Sequence, residues 1–114
     1  MQAETLLERP LPANARTPAY YVAELEVTDA EGIKPYRDQV DATFRPYGGR
    51  YIVRAGQMDR LEGTPPNHRL IIIEFDSLQK ARAWYHSPEY AKIRPIRQHS
   101  GTATTYIIEG VPQR

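Results

Sequence analysis

Residues 20 to 27 read Tyr-Tyr-Val-Ala-Glu-Leu-Glu-Val, a run of β formers in which apolar and charged positions partly alternate, and predict a first strand. The period then lengthens. Ile33, Tyr36, Val40, Phe44 and Tyr47 recur at helical spacing behind Asp29, a candidate N-cap. Pro35 must lie in the first turn of that helix or kink it, because an interior proline removes a hydrogen bond and clashes with the turn before it. Gly48 and Gly49 predict its end, since glycine accepts the left-handed backbone found past a helix C-terminus. Residues 50 to 55 predict a second strand, and Gly56, Gly63, Pro65 and Pro66 mark a long hairpin connection. Residues 69 to 75 hold the longest aliphatic run, Leu70 to Ile73, and predict a central third strand. Ser77 then caps a helix reaching about His86, with Leu78, Ala81, Trp84 and Tyr85 on one side. Ser87-Pro88-Glu89 starts another, a capping serine followed by proline at the first helical position, where its missing N–H costs nothing. That helix runs toward Gln98, and Pro95 is expected to bend or shorten it. Residues 102 to 111 form the last strand.

The order β-α-β-β-α-β predicts an α+β, ferredoxin-like fold: a four-stranded antiparallel sheet with its helices on one face. The other face would carry Tyr20, Val22 and Glu24, then Ile52 and Arg54, then Leu70, Ile72 and Glu74, with either parity of the last strand. Such a face is too apolar to leave wet, so two copies are expected to pack these faces together as a two-fold homodimer. Residues 1 to 18 carry Pro10, Pro12 and Pro18 without sustained periodicity, and read as an arm that can pack on a partner subunit. The domain proper spans residues 19 to 112.

Composition changes this picture little. A chain of 114 residues has room for one domain, and a formal net charge of +1 lacks the basic surplus of a nucleic-acid binder. Twelve of the 15 basic residues are Arg, which suits fixed, hydrogen-bonded pairs or reflects a GC-rich genome. There is no cysteine, which excludes disulfides and thiolate chemistry. No apolar run approaches membrane-spanning length, and the first residues lack a signal peptide's pattern, so no membrane partner and a cytoplasmic location are expected.

The segments 47 to 54 (Tyr-Gly-Gly-Arg-Tyr-Ile-Val-Arg), Leu61-Glu62-Gly63, Ile73-Glu74-Phe75 with Ser77, Ala83-Trp84-Tyr85, Ser87-Pro88-Glu89-Tyr90, Arg97 and Glu109-Gly110-Val111 form a recognisable set. With them, the chain closely resembles the bacterial proteins grouped as domain of unknown function 1330, in the dimeric α/β-barrel superfamily. The resemblance covers about residues 19 to 111, with Ala55 standing where a glycine is usual and His86 where a small polar residue is usual. It implies a ferredoxin-like homodimer whose sheets face each other around a barrel, and no agreed activity. The wider superfamily includes cofactor-independent monooxygenases, haem-degrading enzymes, muconolactone isomerase and ligand-sensing domains, so the fold assigns no function.

Two residue sets could carry chemistry. Glu24, Arg54 and Glu74 share one parity on neighbouring strands and are expected side by side across the sheet. Two carboxylates flanking a guanidinium could hold a ligand or poise one carboxylate as a base, or could be a structural ion-pair network fixing the dimer register. Trp84, Tyr85 and Tyr90 with Arg97 could wall a pocket for a flat or carboxylated ligand, or simply pack the second helix and its successor on the sheet. His68, His86 and His99 have no metal-ligand spacing; no metal or cofactor is expected. Two functions follow. One is a cofactor-independent oxygenase or isomerase on a small carbonyl or phenolic substrate, with Glu24 or Glu74 as base and Arg54 as anion stabiliser. The other is a non-catalytic ligand-binding or stress-response homodimer whose charges are structural.

Overall fold

A computed structural model describes residues 16 to 65 and 68 to 113. Strand β1 (Ala19–Val27) pairs antiparallel with both β3 (Arg69–Phe75) and β4 (Gly101–Glu109), and β2 (Arg50–Arg54) adds to the free side of β3. The order β2-β3-β1-β4 puts the aliphatic β3 inside the sheet, as its composition requires. Helices α1 (Lys34–Phe44), α2 (Leu78–Tyr85) and α3 (Pro88–His99) complete the expected α+β, ferredoxin-like arrangement. Of the predicted arm, residues 1 to 15 lie outside the described residues. Arg16 forms a backbone bridge with Gln113, and its guanidinium reaches Asp76 at 3.0 Å. Among the described residues no helix is long and apolar enough to cross a membrane.

The core lies between the sheet and the helices because every second residue of β1, from Ala19 to Leu25, points there with Ile73 and Phe75 of β3. They meet Ile33, Tyr36, Val40 and Phe44 at helical spacing on and just before α1. Trp84 is the centre of this layer, with no exposed surface. Its ring stacks on Phe75 at 5.4 Å and meets Tyr21 edge-on at 4.9 Å, and its indole N–H donates to Thr43 Oγ1 at 2.9 Å. A buried indole needs such a partner, and a threonine on α1 supplies it.

Ser77 and Ser87 cap α2 and α3 as predicted, each accepting a backbone N–H three residues on. Asp29 is not the N-cap of α1. Its carboxylate accepts from Gly32 N–H at 2.9 Å, making a turn before the helix, and the N-cap position falls to Ile33 with Pro35 in the first turn. The predicted stop holds: a 3₁₀ turn (Arg45–Tyr47) ends on Gly48, whose φ of 79° is left-handed. Pro95 does not shorten α3, which continues to His99.

The feature that matters most for function is in β2. Arg50 opposes Glu74 and Tyr51 opposes Ile73, but then Val53 opposes Ile72 and Arg54 opposes Ile71. Ile52 is an extra residue, a β-bulge, and it reverses the side to which everything after it points. Immediately beyond, Ala55 takes a left-handed φ of 53° while its N–H donates to Leu70 O at 2.8 Å.

Candidate functional site

The bulge separates the expected Glu24, Arg54 and Glu74 trio. Arg54 shares the side of Ile71, toward the helices, whereas Glu24 and Glu74 face away from them. Glu24 opposes Leu70 and Thr104 and accepts from the Tyr106 hydroxyl at 3.3 Å. Glu74 opposes Tyr20, four residues along β1 from Glu24, roughly 13 Å at about 3.3 Å per residue. It is taken up by Arg50 at 2.6 Å and Arg16 at 3.8 Å. The side-by-side arrangement was derived from strict alternation along β2, and the extra residue breaks that alternation.

The second set divides as well. Trp84 is core. Tyr85 packs under Arg94, whose guanidinium lies 4.6 Å from the ring centroid. Arg97 does reach a cavity, with Tyr90 behind it accepting from Arg97 Nε at 3.4 Å and sharing a 2.8 Å hydroxyl contact with Tyr36.

That cavity, of about 170 Å³, lies between the helix side of the sheet and α1. Arg37 of α1, Arg54 of β2, Arg69 of β3 and Arg97 of α3 all line it, with Tyr21, Tyr36 and Tyr51. Among the described residues no Asp, Glu or His does, and none of these four arginines is paired with a carboxylate. Two polar groups are left over: the Tyr21 hydroxyl and Arg37 Nη2 are buried without partners among the described residues. Arg54 sits 4.8 Å from the Tyr51 ring centroid, a cation–π contact at the rim.

The electrostatics follow from burial. Burial pushes the Tyr21 phenol well above its ordinary range, Tyr90 adding to the rise and Arg97 opposing it. Tyr36 is raised by the same causes, and Tyr51 by burial against the opposing charge of Arg54. At neutral pH these three phenols are O–H donors. Burial works against the Arg97 cation, and Tyr90 Oη accepting from its Nε opposes that, so a charged guanidinium sits here although only 5% of the residue is exposed. The cavity is thus a donor-rich, cationic recess with apolar walls from Ala23, Val40, Ile71 and Ile73. Among the described residues no cluster of His, Asp or Glu is placed to hold a metal ion.

Sequence reading missed Arg37, Arg69 and the three tyrosines as a group. A signal existed. Arg37 occupies the stripe position four residues after Ile33, Arg69 has the parity of Ile71 and Ile73, and Arg97 follows Ile93 by four: each is a cation where its element's pattern calls for an apolar residue.

Two solved structures share this fold. A protein of unknown function from Rhodopseudomonas palustris aligns with a TM-score of 0.67 at 17% identity, covering 87% of either chain. Its methylated form aligns with a TM-score of 0.64 at 16% identity, covering 87% of this chain and 85% of that one. A putative antibiotic biosynthesis monooxygenase from Nitrosomonas europaea is more distant, with a TM-score of 0.49 at 12% identity over 89% of this chain and 96% of that one. No curated protein matches the sequence. The family model described as "Domain of unknown function (DUF1330)" matches residues 18 to 111, nearly the whole chain, and the protein belongs to that family.

Proposed function

We propose that the arginine-lined cavity binds a small organic acid, holding its carboxylate in guanidinium forks. One observation carries this: four arginines converge on a single recess, and among the described residues none of them is paired with a carboxylate and no acidic residue lines the wall. Arg97, 5% exposed, is the buried one of the four; a buried cation costs several kcal/mol unless something compensates it, and a carboxylate matches the planar donor pair of arginine. The volume suits a ligand slightly larger than benzene, which an apolar cavity of about 150 Å³ can hold.

Of the two functions considered, non-catalytic binding is the better supported. The carboxylates suggested as bases, Glu24 and Glu74, belong to the opposite face of the sheet, and the phenols of the cavity are held protonated. Arg54, which lines the recess, would serve there as an anion stabiliser. In an oxygenase or isomerase reading the same guanidinium groups would steady an enolate, but the base would have to come from the substrate or solvent.

Thermal melting with butyrate and with butyramide tests the proposal. Butyrate, the same size but charged, should raise the melting temperature with concentration while the amide does not. Equal effects, or none from either, would remove the claim that charge recognition defines the site.

The same proposal includes a cytoplasmic homodimer joined through the outer sheet faces. It is supported by Tyr106 and Ile108, 44% and 55% exposed, beside Tyr20 and Val22 on β1.

A further inference from the structure

Resting on the anion-binding reading, we infer that the ligand carries two acid groups on a carbon spacer, a short dicarboxylate of about eight non-hydrogen atoms. The cavity has two cationic poles. The inner pole is Arg97, closed to bulk water, ringed by Tyr21, Tyr36 and Tyr90, with the unpartnered Tyr21 hydroxyl beside it. The outer pole is Arg54 and Arg69, both exposed, which stand as diagonal neighbours on β2 and β3.

The strand register sets the span between them. Tyr21 opposes Ile73; Arg54 opposes Ile71, two residues further along β3, and Arg69 lies four residues along. At about 3.3 Å per residue these offsets are roughly 7 and 13 Å between backbones. Measured from Tyr21 beside the inner pole, a separation of that order, less the reach of the arginine side chains, is one that a four-carbon diacid would bridge. Ala23, Val40 and Ile71 give the same recess aliphatic wall, which fits methylene or vinyl carbons, and Arg37 of α1 adds a further cation to its lining.

A monoacid therefore compensates only one pole. At the inner pole its carboxylate accepts from Arg97 and from the Tyr21 hydroxyl, which leaves Arg54 and Arg69 to solvent. A compact anion such as phosphate has the same limitation. A dicarboxylate engages both poles at once, and the second contact adds affinity with little further loss of freedom.

Titration of the intact protein with succinate, butyrate, butyramide and inorganic phosphate tests this. Succinate should bind at least tenfold more tightly than butyrate and than phosphate. In the double variant R54Q/R69Q, whose altered side chains are exposed and whose melting temperature should stay near the parent's, succinate should fall to the affinity of butyrate. Equal affinity for succinate and butyrate in the parent protein would overturn the two-pole inference while the carboxylate site itself stands. Phosphate binding more tightly than succinate would overturn the carbon-spaced ligand. If butyrate also binds no better than butyramide, the anion site fails and this inference with it.

Discussion

At the scale of single residues, the molecule places its charges where a packing rule would place hydrocarbon. Arg37, Arg69 and Arg97 occupy core-facing positions of a helix, a strand and a second helix; α1 and α3 pack on one another, and all three arginines line one recess. Each was visible in the sequence as an exception to periodicity; their convergence was not, because it depends on which elements become neighbours. Ala55 is another local exception. It holds φ 53°, a region that strains any residue bearing a Cβ, next to the arginine that reaches the cavity mouth. Ala55→Gly should relieve that strain. Part of the gain is offset by the freedom glycine adds to the unfolded chain, leaving a net stabilisation of about 0.5 to 1 kcal/mol. A urea midpoint that rises with an unchanged m-value would record it; a fall would show that the left-handed turn is not strained.

Elements were the most legible level. Alternation, aliphatic runs and two capping serines gave four strands and three helices nearly at their observed bounds. The helix starts show why some boundaries are readable and others are not. Ser87 accepts from Tyr90 N–H at 3.2 Å and donates to Trp84 O at 2.7 Å, so one side chain ends α2 and begins α3. Ser87→Ala should therefore cost about 1 kcal/mol or somewhat more, read as a lower melting temperature, because the cap is lost and Trp84 O keeps only the Ser87 backbone N–H of its two Ser87 donors. Asp29 has the same residue chemistry, but Gly32 and Pro35 direct its carboxylate into a turn instead of a helix start. The bulge in β2 was not legible. Nothing in Arg-Tyr-Ile-Val-Arg marks Ile52 as the residue without a partner, since pairing with β3 alone decides it. That is why the candidate trio was misassembled although the strand order was read correctly.

At the scale of the whole molecule, the sheet has two unlike faces. The inner one builds the core and the cavity. The outer one carries Tyr20, Val22, Ile72, Tyr106 and Ile108 around the Glu24 and Glu74 carboxylates. Apolar surface of that kind is stabilised by pairing with a second copy. Light scattering should return about twice the 13.1 kDa mass of the chain, and a value near 13.1 kDa at micromolar concentration would sink the sheet-to-sheet packing. The extra residue at Ile52 gives the two faces a shared point of control. Upstream of it Arg50 serves the outer face through Glu74; two residues downstream Arg54 serves the inner recess, while Val53 takes the outer side. Lose or gain one residue there, and the outer face and the inner recess would trade arginines with no change in amino-acid type. Kinship in this strand is therefore a matter of phase: two relatives can agree letter for letter around it and still point the same guanidinium at different tasks.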